Sequence, residues 1–198
     1  MKRLSRSDLL ANGGKGAALL AAGSVFGGLV PQASAAVPDQ DLAYARLLVG
    51  VELLALDFYA KAIASKQFEG GALHELRRAR SNEHQHYESY AAILTKAGQI
   101  PATAEDIDFS YPKASFDSRG SITKLGIRLE SVALGAYLGA VEGFATNDYK
   151  ALAARVAANE SQHLSVFSGW VGGRRVGPPL AASWSINRVS DALDAYTS

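Results

Sequence analysis

Apolar residues recur at helical intervals in four long segments of the chain, and turn-forming residues separate the segments. The pattern predicts four helices: from Asp39 to about Ser65, from after Gly71 to Ala97, from a cap at Ser121 to about Thr146, and from after a turn at Asn147-Asp148 to Gly172-Gly173. Asp39 or Asp41 is available to cap the first helix, and Gly98 is placed to end the second. Residues 99–120 contain Pro101 and Pro112 and interrupt the pattern as a long connection.

Short links join the first helix to the second and the third to the fourth, whereas the second and third are joined by the long connection. Two helical hairpins joined by one crossover are typical of a four-helix bundle. A short helix is also predicted in the tail, from Ser185 to Ala195. The sequence therefore predicts an all-α fold, an antiparallel four-helix bundle with a short C-terminal helix.

Glutamate and histidine repeat at matching positions in the two predicted hairpins. Each hairpin has a glutamate in its first helix and a Glu-x-x-His pair in its second, at intervals of 31 and 30 residues between the glutamates: Glu52 with Glu83 and His86, and Glu130 with Glu160 and His163. The flanking residues repeat as well, because Asn82 and Gln85 have counterparts in Asn159 and Gln162. A single Glu-x-x-His pair is weak evidence for a site, but this repetition is strong.

All four glutamates lie on the apolar stripe of their helices, so a bundle would bury four carboxylates. Leaving them bare would cost several kcal/mol each, and no lysine or arginine lies at their level on those stripes. Two divalent cations would balance four negative charges, and residues three apart on a helix reach the same ion. Oxygen and nitrogen donors suit iron or manganese, and zinc also binds them. The alternative is a structural bundle whose carboxylates are protonated or hydrogen-bonded.

Two tyrosines are candidate catalytic residues. Tyr59 and Tyr137 each follow a predicted ligand glutamate by seven residues, which is two helical turns. From there a phenol is able to hydrogen-bond to a carboxylate or give up an electron; the alternative is a core aromatic with a satisfied hydroxyl. His84 is rotated by about 100° from the ligand face, so it is predicted to pair with Glu88 in solvent instead of binding metal.

Residues 1–35 have the three parts of an export signal. Basic residues come first, an apolar run extends from about Gly16 to Val30, and Ala33-Ser34-Ala35 forms a small-residue cleavage site. The segment around Arg6 resembles a twin-arginine signal, although Ser7 replaces the second arginine, so the general secretory route also stays open. The run is too short and too rich in glycine to favour an uncleaved membrane anchor.

These boundaries predict an export signal at 1–35, a bundle at 36–173 and a tail at 174–198, with the protein in the periplasm, the cell envelope or the medium. The signal carries four of the 20 basic and one of the 19 acidic residues, which leaves a net charge of −2. This charge gives no reason to expect nucleic acid or an anionic membrane as a partner. The sequence has no cysteine, which excludes disulfides, thiolate metal sites and iron–sulfur clusters.

Residues 40–172 resemble the ferritin-like superfamily, including its rubrerythrin-like di-metal carboxylate members. The segment Leu129–Ala140 is most similar to exported ferritin-like domains grouped with desiccation-related proteins. The resemblance implies two iron ions, alternatively manganese, with Glu83 and Glu160 bridging them and Glu52 and Glu130 binding one each.

The same resemblance implies a function in redox chemistry, with Fe(II) oxidation or reduction of peroxide or O2 as the expected reaction. The alternative is a metal-sequestering or structural, stress-protective bundle without turnover. Because the chain has no cysteine, an attached rubredoxin-like domain cannot feed electrons to the site. A homo-oligomer is possible, but nothing in the sequence identifies a ferritin cage.

Overall fold

Four long helices and one short helix account for most of residues 36–172 and 176–197, the part of the chain that the computed structural model describes. The predicted export signal lies outside the described residues. We number the helices in chain order: α1 Asp39–Ala64, α2 Gly70–Lys96, α3 Arg119–Gly143, α4 Asn147–Trp170 and α5 Ile186–Asp194. In these described residues, no helix combines the length and apolar character that crossing a membrane requires.

The long helices pack as two hairpins, α1 against α2 and α3 against α4, and the hairpins meet mainly through α1 and α3. This arrangement confirms the predicted four-helix bundle with one long crossover and a short C-terminal helix. The buried apolar side chains form two clusters along the bundle. One is built around residues such as Leu48 and Phe144, and the other around residues such as Phe58 and Leu76.

The structure corrects both predicted ends of the third helix. Ser118, not Ser121, is the N-cap of α3, and the two serines form a reciprocal capping box. The Ser118 hydroxyl accepts from Ser121 N at 3.1 Å, and the Ser121 hydroxyl accepts from Ser118 N at 3.2 Å. At the other end α3 stops at Gly143 instead of continuing to Thr146, because the extended backbone of Phe144 places its side chain in the core.

Asp41 does not cap the first helix, which has Pro38 at its N-cap position and no side-chain cap. Instead the buried Asp41 carboxylate accepts hydrogen bonds from the α3–α4 turn: Ala145 N at 2.5 Å, Thr146 N at 3.1 Å and the Thr146 hydroxyl at 2.6 Å. A charged acceptor on α1 therefore ties the start of the first hairpin to the turn of the second.

The C-terminal tail packs on the bundle through α5, which contacts α1 and α3. Trp184 N donates to Gly135 O at 2.9 Å, and the guanidinium of Arg188 lies 3.8 Å from the centre of the Trp184 ring. Gly135 and Gly139 leave room on α3 for this close approach: a Cβ on Gly135 would meet the Trp184 indole, and one on Gly139 would overlap the Trp184 carbonyl oxygen.

A Gly139→Ala substitution should therefore displace the tail and lower the free energy of unfolding by about 1–3 kcal/mol, the usual cost of overpacking. Gly120→Ala is the matched control in the same helix, because the nearest atom to its added Cβ is the Ser118 hydroxyl at 3.9 Å. The control should be neutral or slightly stabilising. Urea denaturation of both variants measures the difference, and equal midpoints would show that the tail is not docked at Gly139.

Candidate metal centre

The six predicted ligand side chains meet in the interior of the bundle. α1 and α3 each supply one glutamate, and α2 and α4 each supply a Glu-x-x-His pair. All six are buried, and the most exposed of them, His86, has only 9% of its surface accessible. Helical periodicity accounts for this convergence, since each glutamate lies on the apolar face that its helix turns inward.

The donor atoms form two overlapping groups, in each of which the atoms lie within 4.8 Å of one another. One group contains Glu52 and His86, the other contains Glu130 and His163, and Glu83 and Glu160 belong to both. The geometry thus divides the cluster into two halves that share a pair of carboxylates.

Each shared carboxylate directs one oxygen toward each histidine. Nδ1 of His86 lies 3.1 Å from Oε2 of Glu83 and 3.0 Å from Oε1 of Glu160. Nδ1 of His163 lies 2.8 Å from Oε1 of Glu83 and 3.4 Å from Oε2 of Glu160. The remaining glutamates each approach one histidine, Glu52 at 3.8 Å from His86 and Glu130 at 3.6 Å from His163.

Several of these atoms are buried without a hydrogen-bond partner among the described residues. They are Glu52 Oε2, Glu83 Oε1, both oxygens of Glu160 and His163 Nδ1. His163 Nδ1 is 2.8 Å from Glu83 Oε1, yet the two atoms are not aligned for a hydrogen bond. Atoms that bind one metal ion at about 2.1 Å lie about 3 Å from one another. Ligand atoms at this spacing that do not hydrogen-bond to each other are therefore suitably placed to bind one cation between them. The cluster is therefore compatible with a metal site.

Burial and mutual repulsion disfavour the charged form of two of the glutamates. The pKa of Glu52 is raised well above its usual range by burial, and the charges of Glu83 and Glu160 add to this effect. Burial also raises the pKa of Glu130 to about 8, with the same two charges acting in the same direction and contact with His163 opposing them. Both carboxyls therefore favour the protonated state near neutral pH when no cation is bound.

The histidines and Glu83 show the opposite behaviour. Burial would lower the pKa of His86, but its contacts with Glu160 and Glu83 raise it to about 9. The pKa of His163 is raised in the same way, against burial, by Glu130, Glu160 and Glu83. Burial would raise the pKa of Glu83, yet His163 and His86 lower it to about 2. In the metal-free chain, protons and imidazolium charges thus balance the carboxylates.

The two predicted tyrosines both reach the cluster, and each bonds across the hairpins. The hydroxyl of Tyr59, on α1, donates to Oε1 of Glu130, on α3. The hydroxyl of Tyr137, on α3, donates to Oε1 of Glu52, on α1. Burial, with the nearby glutamate charges, raises the pKa of both phenols, so they remain donors. Each phenol holds one oxygen of its glutamate and leaves the other directed toward a histidine; a catalytic role for the tyrosines stays a prediction.

Sequence reasoning missed two residues beside the cluster. The side-chain amide nitrogen of Asn82 lies 3.1 Å from Nε2 of His163, and the repeated Asn-Glu dipeptide was the available signal. Tyr90 follows Glu83 by seven residues, as Tyr59 follows Glu52, and its ring centre is 5.6 Å from that of Tyr137. His84, by contrast, is exposed and lies 3.5 Å from Glu88, away from the cluster as predicted.

Replacing Tyr59 or Tyr137 with phenylalanine should destabilise the metal-free protein by about 1–3 kcal/mol, because each change leaves a buried carboxylate oxygen without its donor. Tyr90→Phe is the matched control, since the buried Tyr90 hydroxyl has no hydrogen-bond partner among the described residues. The control should cost less, or even stabilise. Urea denaturation of the three variants tests this order, and an equal loss in Tyr90→Phe would contradict the role of the two hydrogen bonds.

Comparison with known proteins agrees with this geometry. A search for similar curated proteins gave no match. The family model described as ferritin-like domain matches residues 40–173, which contain all six residues of the cluster and the four long helices except Asp39, the first residue of α1. The chain therefore belongs to the ferritin-like domain family.

Proposed function

We propose that this chain is an exported di-metal carboxylate protein that binds two iron or manganese ions and oxidises Fe(II) or reduces hydrogen peroxide or O2. The observation that carries the proposal is the position of Glu83 and Glu160, each of which directs one oxygen toward His86 and the other toward His163. This is the arrangement that two carboxylates bridging a pair of ions require.

The roles of the residues follow from the two halves of the cluster. Glu83 and Glu160 would be shared by the two ions, Glu52 and His86 would complete one half, and Glu130 and His163 would complete the other. When bound, the two ions supply redox chemistry by alternating between divalent and trivalent states. The buried position of the six side chains limits the access of bulk water to the cluster.

The tyrosines and the apolar clusters position the glutamates. Tyr59 and Tyr137 fix the orientation of Glu130 and Glu52, so the free oxygen of each points inward. Hydrogen-bond partners that orient metal ligands in this way are worth roughly 10- to 100-fold in metal affinity. Since the sequence contains no cysteine, the reducing equivalents come from Fe(II), from peroxide or from a separate donor.

One observation favours a second candidate, a structural or sequestering bundle without turnover. The charges of the metal-free cluster balance one another, because His86 and His163 pair with the shared glutamates. This pairing raises the pKa of both imidazoles, so they carry positive charge. A bundle with this balance is able to fold without metal. Metal content and turnover, measured separately, distinguish the two functions.

The first experiment is metal analysis of protein purified from its own host, beside a Glu83→Ala/Glu160→Ala variant. We expect about two iron or manganese ions per chain in the parent and close to none in the variant, because both bridging carboxylates are gone. The variant should also lose the rise in melting temperature that added metal gives the parent. His84→Ala is the control and should keep its metal, since His84 is exposed outside the cluster.

A parent that takes up neither Fe(II) nor Mn(II) under anaerobic conditions would exclude the metal centre. Loss of metal in His84→Ala would show that the wrong face of α2 has been assigned.

The second experiment separates turnover from storage. With a large excess of Fe(II) in air, or with hydrogen peroxide, the loaded parent should consume oxidant continuously, whereas a sequestering protein should stop once its bound ions have reacted. An oxygen electrode follows O2, a colorimetric peroxide assay follows hydrogen peroxide, and the Glu83→Ala/Glu160→Ala variant gives the background rate. Consumption in the parent that stops after one stoichiometric burst would favour the sequestering function.

A further inference from the structure

A cavity of about 90 Å³ lies between α2 and α4, beside one half of the cluster. His163 and Tyr59 stand among the residues that line it, and neither His86 nor Glu52 does. Apolar walls come from side chains of both helices, including Leu76, Ala79, Val166 and Phe167. Polar side chains also line it: Glu75, Arg78, Asn82, Asn159 and Gln162.

We propose that this cavity, which we call the access pocket, admits a small uncharged molecule, such as hydrogen peroxide or O2, to the His163 half of the cluster. The inference rests on the proposed function of the cluster as a metal centre. It adds the route by which the oxidant reaches the cluster, and it implies that the two halves differ in their access to small molecules.

The cavity has room for a molecule of a few atoms. A water molecule takes about 30 Å³ in the liquid, so O2 and hydrogen peroxide, which are of similar size, fit within about 90 Å³.

The pocket lining carries no net charge. Glu75 contributes one negative charge and Arg78 one positive charge, and both side chains are exposed on α2. The other polar groups are the carboxamides of Asn82, Asn159 and Gln162, which donate and accept hydrogen bonds without net charge. Such a lining gives no electrostatic preference for an ion of either sign, and hydrogen peroxide would find both donors and acceptors there.

The pocket also reaches groups that touch the cluster directly. Asn82 lies 3.1 Å from Nε2 of His163, and the Tyr59 hydroxyl donates to Glu130. An occupant is thus placed beside His163 and beside Tyr59, whose hydroxyl bonds to Glu130, the other residue that belongs to the second half alone. The ligands of the two halves repeat in sequence, so the difference between the halves arises from the walls around them.

The sequence repeat supplies a matched control for testing the pocket. Val166 lines it and follows His163 by three residues; Ser89 follows His86 by three residues and occupies the equivalent place on α2. Both side chains are partly buried, so a tryptophan introduced at either site meets a comparable environment. Only the one at position 166 should fill the access pocket.

Nitric oxide, an uncharged molecule of two atoms, is the probe. The parent, Val166→Trp, Val166→Ala and Ser89→Trp are loaded anaerobically with Fe(II), their iron content is measured, and the absorbance change on mixing with nitric oxide is followed by stopped flow. Val166→Trp should slow binding by about tenfold or more, Val166→Ala should accelerate it, and Ser89→Trp should stay within about twofold of the parent.

The outcomes separate the two proposals. A parent that takes up no Fe(II) would overturn both the metal centre and the access pocket. Normal Fe(II) content with equal nitric oxide rates in Val166→Trp and Ser89→Trp would overturn the pocket alone. If Val166→Trp fails to fold or to bind iron, Val166→Ala decides, because a rate no higher than that of the parent would show that the pocket is not the route.

Discussion

Four carboxylates buried in the middle of a helical bundle are the constraint on which the rest of this structure depends. Each is costly to bury alone, and the described ion pairs give none of them a lysine or arginine partner. The chain balances them with two imidazoles, with protons on Glu52 and Glu130, and with two phenol donors. Two divalent cations would replace those protons and imidazolium charges, so metal binding would release protons at this site.

The hairpins are held in register by polar bonds that cross between them. Beside the cluster, Tyr59 of α1 donates to Glu130 of α3, and Tyr137 of α3 donates to Glu52 of α1. Asp41 makes a further link between α1 and the α3–α4 turn. A slip of one helix relative to the other would break these bonds together and would also part the shared carboxylates from the histidines. The polar network therefore specifies the register that the apolar clusters alone leave open.

The fold and the six clustered residues could be predicted from sequence because both depend on helical periodicity, which is a local property. The capping details could not. Ser118 and Ser121 are equally good caps by composition, and the partners of Asp41 lie 104 and 105 residues away. The tyrosine bonds depend on tertiary register in the same way, although spacing alone placed Tyr59 and Tyr137 near the glutamates. The access pocket depends on the sizes of side chains facing each other across α2 and α4, which no periodic pattern encodes.

A repeat that duplicates the ligands does not duplicate their surroundings. Phe167 follows Glu160 by seven residues and lines the access pocket. Tyr90 follows Glu83 by seven residues, yet it packs against Tyr137 in the other of the two apolar clusters. Asn82 contacts the ring of His163, so the two imidazoles differ in their neighbours although their own positions in the motif are the same. Two ions held by equivalent ligands would thus meet different walls and different access. The two halves of the cluster therefore differ in the residues around the predicted ligands and not in the ligands themselves.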